Sequence, residues 1–508
     1  MSGCCDVIRR AGKGTVVEMT AHRWIGRLAL AAIVGVSSVA VAATSATERQ
    51  ADAQTPEPTL GAGGEYHPLA PARIFDSRTG VNDSAPLGVK PTSSQGRTFD
   101  VDILGQGGVP GEVDGVNVDV LAVVANVTVV GSTLDGFLSI YPTGAAPGDS
   151  SLVNFGPGEA VPNLAVLGVG TGGQSTISMV TPEGDGSAHV LIDVFGWIST
   201  SEFADVADTG ARFKPIPPSR VLDTRSTPVP ATWTAGTPIG AMEQLTLPIR
   251  GANGVVPDST DVTGVMVNVT AANNAAGSQA TFLSVTPATT PPGVEPATSV
   301  TNVAPGQIKA NMAIVPIGDD GAIRIFNSSG ATNVIVDVLG YLERGADDTT
   351  RAGRVIPLDA PFRVFDTRQE AFASTPLGFS TKEEWSFKAF AESVSLNGVP
   401  IGAQSALLGN LTGTGLEPLY PGQSVDTYMT IYPGNGEPPN SSNINVTPGR
   451  SVANMSLLSY GTVGADPYTI SAFNFDGSIH YLLDVYAVVL ADEPPSTPAP
   501  ASTTTAPA

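Results

Sequence analysis

Arg73-Ile74-Phe75-Asp76-Ser77-Arg78 recurs as Arg220-Val221-Leu222-Asp223-Thr224-Arg225 and again as Arg363-Val364-Phe365-Asp366-Thr367-Arg368. Each copy is answered by a closing stretch: Leu191-Ile192-Asp193-Val194-Phe195-Gly196-Trp197, Ile335-Val336-Asp337-Val338-Leu339-Gly340-Tyr341 and Leu482-Leu483-Asp484-Val485-Tyr486-Ala487-Val488. A repeat this long sets the domain count before any other reading. A chain of 508 residues has room for about three domains of roughly 150 residues.

The landmarks between the two motifs keep one order. A Pro-apolar-Gly turn (Pro86-Leu87-Gly88, Pro238-Ile239-Gly240, Pro376-Leu377-Gly378) comes first. A dense apolar run then ends in Asn126-Val127-Thr128, Asn268-Val269-Thr270 or Asn410-Leu411-Thr412. A pair of asparagines follows at constant spacing: Asn154 with Asn163, Asn302 with Asn311, Asn445 with Asn454. Apolar runs rich in Val, Ile and Thr, punctuated by 57 Gly and 42 Pro, describe about eight strands per repeat. The fold expected is all-β: three tandem antiparallel β-sandwich (jelly-roll-like) domains after an N-terminal export segment. The run 121–130 is apolar without alternation, so it reads as a central strand covered on both faces.

The expected organisation is an export segment at 1–53, a linker at 54–64, and repeats at 65–200, 212–344 and 354–492 joined by linkers 201–211 and 345–353. A Pro/Thr tail at 493–508 cannot bury a core and reads as disordered. Arg23 and Arg27 precede an apolar stretch, and Ala40-Val41-Ala42 and Ala51-Asp52-Ala53 are cleavage boxes. The sixteen residues 28–43 are short against the ~20 needed to span a bilayer, so cleavage is favoured over anchoring. The expected location is therefore secreted, extracellular or associated with the cell wall.

A formal charge of −22 repels nucleic acid and anionic lipid, which excludes both as partners. Cys4 and Cys5 are the only cysteines, so the body of the chain has no disulfide or thiolate metal site. No cofactor is expected. Asp185-Gly186 and Asp319-Asp320-Gly321 read as hairpin turns, with calcium as their second reading.

These motifs resemble a repeat module of secreted actinobacterial surface proteins, over about residues 65–492. That module opens on Arg-Leu-Leu-Asp-Thr-Arg and closes on Ala-Asp-Val-x-Gly-Tyr-Phe. The resemblance implies an exported β module, in tandem or attached to wall enzymes, with no established activity. The third copy departs from it, with Ala487 at the glycine of the closing motif and a longer segment at 413–427.

Asp193, Asp337 and Asp484 each interrupt an apolar strand, where a lone carboxylate would cost several kcal/mol. The opening motif supplies two arginines and one aspartate. The expectation is a structural clasp in each copy: Arg73, Asp76, Arg78 and Asp193; Arg220, Asp223, Arg225 and Asp337; Arg363, Asp366, Arg368 and Asp484. A regular strand would point Arg73 away from Asp76 and Arg78. Either a bulge intervenes, or only one arginine reaches the closing aspartate. The competing reading, a carboxylate pair hydrolysing a glycoside, asks for a protonated acid that two adjacent arginines would not allow. No catalytic residue is assigned.

Asn126, Asn268 and Asn410 are sequons in strands that read as buried, so hydrogen bonding is the expected role. Asn163, Asn311 and Asn454 should bond to backbone at turns. His189 and His480 stand where the second repeat has Asn333, an interchange that suits a hydrogen bonder. Trp233, in a loop, is the candidate glycan platform. The function expected is a non-enzymatic structural, spacer or adhesion component. A binder of cell-wall or extracellular polysaccharide or protein comes second, and a wall-active hydrolase is the distant third.

Overall fold

The structure is a computed structural model. It describes residues 8–11, 15–16, 63–80, 98–112 and 119–492, apart from 147, 202, 204, 206, 274–277, 291–294, 297, 346–349, 370–373, 397–398 and 421–424. The apolar core and cleavage boxes of the export segment, the Pro86 turn and the C-terminal tail lie outside the described residues.

The chain is all-β. The first repeat carries β1 (Tyr66–Asp76), β2 (Thr98–Asp102), β3 (Val120–Val130), β4 (Gly136–Pro142), β5 (Val153–Phe155), β6 (Ala160–Gly168), β7 (Gln174–Val180) and β8 (His189–Ser199). The second carries β9 (Arg212–Asp223), β10 (Glu243–Pro248), β11 (Val262–Ala272), β12 (Thr281–Pro287), β13 (Thr301–Val303), β14 (Ile308–Pro316), β15 (Ala322–Asn327) and β16 (Asn333–Glu343). The third carries β17 (Val355–Asp366), β18 (Thr381–Ser386), β19 (Gln404–Glu417), β20 (Thr427–Pro433), β21 (Ile444–Val446), β22 (Val452–Ser459), β23 (Asp466–Asn474) and β24 (Ser478–Leu490).

These strands form antiparallel four-stranded sheets in a repeated order. Inner sheets run β1-β8-β3-β6, β9-β16-β11-β14 and β17-β24-β19-β22; outer sheets run β2-β7-β4-β5, β10-β15-β12-β13 and β18-β23-β20-β21. The third outer sheet is extended by Ile8–Ala11, which pairs with β18, and by Gly461–Val463, which pairs with β23. The third repeat also adds one short helix, Lys388–Ser393.

Within a repeat, alternate residues of the inner sheet meet the outer sheet. In the second, Val265, Val267, Val269 and Ala271 of β11 share a cluster with Leu245, Leu283, Ile323 and Ile325 from the outer strands. The intervening residues point the other way. Met266, with Met312, Ile314, Leu339 and Leu342, joins a cluster that holds the first repeat's core together with Leu408, Met455, Leu457 and Tyr486 of the third. Both faces of the inner sheets are therefore buried, one within the repeat and one against its neighbours, which is why their central strands carry apolar residues without alternation.

The starts of the three opening strands also meet. Gly64 pairs with Val355 and Tyr66 with Ala211. The Phe213 N–H donates to Gly353 O at 2.9 Å, and the Gly353 N–H to Leu490 O at 2.9 Å. Arg212 is wholly buried in this hub. Its Nε donates to Glu65 Oε1 at 2.8 Å and its Nη1 to Thr350 O at 2.6 Å.

Candidate functional site: the clasps and the asparagine ring

In the first repeat, Arg73 grips Asp193 with two prongs, Nε to Oδ1 at 2.8 Å and Nη2 to Oδ2 at 3.0 Å, while its Nη1 reaches Asp76 Oδ2 at 3.2 Å. Arg78 does not reach Asp193; it chelates Asp76 at 3.0 and 2.8 Å and adds its own backbone N–H at 2.9 Å. The second and third repeats repeat the pattern. Arg220 holds Asp337 at 2.9 and 3.2 Å, and Arg363 holds Asp484 at 2.8 and 2.9 Å. Arg225 and Arg368 clasp Asp223 and Asp366.

Register explains how the strand delivers these groups. Asp193 pairs with Arg73 and Ile192 with Phe75, so Ile74 is an extra residue in the opening strand. Val221 and Val364 are skipped in the same way. The bulge turns the first arginine onto the face of the closing aspartate. Both halves of the sequence-level dilemma hold: a bulge intervenes, and one arginine reaches across.

Electrostatics divides five of the clasp carboxyls. Burial works against the charge on Asp76, Asp223 and Asp366, but hydrogen bonds from Arg78, Arg225 and Arg368 outweigh it and hold each below the ordinary value. Burial pushes Asp337 and Asp484 upward, against their arginines and a serine N–H (Ser442 and Ser151). A depressed carboxyl contributes stability that is present above its unfolded value and lost as pH falls through the folded one. A raised one contributes stability that is present below the unfolded value and lost as pH rises through the folded one. The melting temperature should therefore peak near the ordinary carboxyl range, about pH 4–5, falling below it as the first three are protonated and above it as the raised pair ionise. A scan by circular dichroism checks this, and Asp223→Asn should flatten the acid limb.

The asparagines form a second system, and it runs between repeats. Asn163 Nδ2 donates to Leu152 O at 2.6 Å and to Asn410 Oδ1 at 2.8 Å, and its Oδ1 accepts the Met455 N–H at 2.9 Å. Asn311 donates to Val300 O at 2.6 Å and Asn126 Oδ1 at 3.3 Å and accepts from Leu164 N at 3.3 Å. Asn454 donates to Asn443 O at 2.6 Å and Asn268 Oδ1 at 2.8 Å and accepts from Met312 N at 3.0 Å. First to second, second to third and third to first, the bonds close a cycle.

Central-strand asparagines complete it. Asn126 donates to Ser299 O at 2.8 Å and Asn410 to Ser151 O at 2.6 Å, while Asn268 donates to Ser442 O. The clasp is tied in as well, since the Ser151 N–H donates to Asp484 Oδ2 at 3.2 Å. Asn163, Asn311 and Asn454 do bond to backbone, but from inside β6, β14 and β22 rather than at turns, and they also bond across to neighbours, which sequence reasoning missed. The buried sequons have their amides committed inside this ring.

Asn154, Asn302 and Asn445 share a depression with Glu159, Lys309 and Arg450, drawn from all three repeats. Arg450 pairs with Glu159 and, at 3.5 Å, with Asp135. Burial lowers the Lys309 pKa, and Arg450 adds to the effect.

Other singled-out residues have local partners. His189 Nδ1 lies 3.1 Å from Ser77 Oγ, and His480 Nδ1 lies 3.2 Å from Thr367 Oγ1; Asn333 accepts from Thr224 Oγ1 at 3.2 Å. The Trp233 indole N–H donates to Thr237 O at 2.8 Å, and its half-buried ring packs on the second repeat's core. Asp320 caps its own turn through the Ala322 N–H at 3.3 Å. Among the described residues, no group of three or more His, Cys, Asp or Glu side chains converges.

No family model matches the chain, and no curated protein matches it. Similar solved structures include two at 9% identity, each with a TM-score of 0.16 and covering 85% of this chain. One, titled "The Triple Jelly Roll Fold and Turret Assembly in an Archaeal Virus", is covered over 91% of its length. The other, the atomic structure of Sulfolobus Turreted Icosahedral Virus, is covered over 92%. A likeness of that TM-score carries no argument about function.

Proposed function

We propose that this chain is a non-enzymatic structural component of a secreted or cell-surface layer, acting as a spacer or adhesion element. Each repeat is read as a jelly-roll-like β-sandwich domain: an inner order of first-eighth-third-sixth strand facing an outer order of second-seventh-fourth-fifth is that of an eight-stranded jelly roll. The domains, near 65–200, 212–344 and 354–492, are read as closing into a ring rather than trailing as beads.

One observation carries this reading. The carboxyls that recur in all three repeats are gripped by arginines, and Asp337 and Asp484 are inaccessible to solvent. A hydrolytic acid or base must touch substrate and exchange its proton, and groups so held do neither. The export signal and the resemblance to secreted actinobacterial modules support the location.

Incubating the full chain with isolated actinobacterial cell walls tests the proposal. Co-sedimentation without release of soluble sugar or peptide is expected. Release of product that disappears in Asp76→Asn while the fold is retained would overturn it. A glycan array with the wild type and Trp233→Ala separates a polysaccharide partner from a protein one.

A further inference from the structure

The three seams of the ring are built from equivalent pieces, but one stands open. In each, prolines near the start of the opening strand remove ladder donors, and the strand arches away from its partner at 69–71, 216–218 and 358–361. Opposite each arch, one residue bulges from the closing strand: Phe195, Leu339 or Tyr486. The far wall is the sixth strand of the next repeat.

Two seams are shut. Between the second and third repeats, Ser459 Oγ donates to Ile216 O at 3.0 Å. Between the third and first, an added Cβ at Gly148 would lie 3.0 Å from Pro361 O of the arch, and one at Gly168 3.9 Å from Leu358 O. Leu339 and Tyr486 are correspondingly buried, 2% and 3% exposed. Between the first and second repeats, Pro316 stands where Ser459 and Gly168 stand in the others. It has no hydroxyl to reach the arch. This seam holds a cavity of about 370 Å³ lined by Leu69, Phe195, Met312, Ile314 and Val300, with Asn126, Asn311 and Pro316 among its walls. Phe195 is only half-buried there.

The lining fixes the ligand's chemistry. Among the described residues it holds no charged side chain, and the Asn126 and Asn311 amides are already bonded to each other and to backbone. The volume falls in the ~300–1,000 Å³ range of small-molecule sites. We propose that the open seam binds a neutral, predominantly apolar small molecule. An anion would meet the chain's −22 charge with nothing in the cavity to compensate for it.

Titrating the full chain with the neutral fluorophore N-phenyl-1-naphthylamine tests this. Saturable binding of one molecule per chain, displaced by a long-chain alcohol, is expected. Ala70→Trp, on the exposed rim, should weaken it by about tenfold or more at an unchanged melting temperature. Pro217→Trp, at the same place on the shut second seam, should leave it untouched. If Ala70→Trp fails to fold, Thr290→Trp blocks the opposite lip. Absence of saturable binding, or binding indifferent to a folded rim variant, would overturn the proposal.

Discussion

Replacing Asn163 with leucine should lower the free energy of unfolding by about 3–5 kcal/mol, as the sum of several orphaned groups at ~1–3 kcal/mol each. The side chain is 1% exposed and uses both amide hydrogens and its oxygen. Leucine matches its bulk and none of its bonds. The Met455 N–H, Asn410 Oδ1 and Leu152 O each lose a partner where water does not easily reach. Two of those three groups belong to the third repeat, so the loss falls on the seam as well as on the first repeat.

The equivalent changes Asn311→Leu and Asn454→Leu should cost comparable amounts, because the cycle gives each the same three bonds. Asn154→Leu serves as a control. Its amide meets Ser151 Oγ at 3.4 Å and the residue is half-buried, so a loss under about 1 kcal/mol is expected. Denaturant titration followed by intrinsic fluorescence gives the comparison. A shift for Asn163→Leu no larger than the control's would mean that the cyclic bonds contribute nothing net. Because the ring couples the repeats, the variant should also broaden the transition, as the repeats begin to unfold independently.

How far this arrangement could be read from the residues depends on what each residue reports. An aspartate inside an apolar strand reports a nearby cation, and the two arginines at fixed spacing supply it. Even the bulge was signalled, by the clash between strand alternation and the Arg73–Asp76 spacing. The asparagine ring was harder, because Asn163 and Met455 are 292 residues apart and identical motifs give no sign of which copy meets which. One clue was available. An unalternated run such as 121–130 needs cover on two faces, and a single two-sheet sandwich covers each sheet on only one. The second cover had to come from outside the repeat.

The glycine of the closing motif was legible as a motif but not as a cause. At Gly196 an added Cβ would lie 2.4 Å from the Tyr66 ring, and at Gly340 2.8 Å from Met266. Those neighbours come from folding, not from spacing. In the third repeat Ala487 occupies the position fully buried, so the departure from the motif is accommodated there by different neighbours.

The clasp should show the opposite signature to the ring: large single losses that largely cancel in combination. Asp484→Leu leaves Arg363, its side chain 15% exposed, without the carboxylate it holds by two bonds. Breaking one side of such a pair costs about 3–5 kcal/mol. Arg363→Leu strands Asp484, which is wholly buried, at a similar cost. Replacing both by leucine removes both desolvated charges and puts apolar volume in their place, which is often neutral or better. What remains is the Ser151 N–H, which donates to Asp484 from the first repeat and would lose its acceptor, at about 1–3 kcal/mol. The double variant should therefore lose far less than the two singles together, leaving a coupling of several kcal/mol in a double-mutant cycle. Additive losses would show that arginine and aspartate do not depend on each other. Asp484→Asn, which preserves shape, sharpens the test. A catalytic carboxylate tolerates that change with little effect on the melting temperature, whereas a carboxylate that neutralises a guanidinium across two strands and accepts a bond from the next repeat cannot.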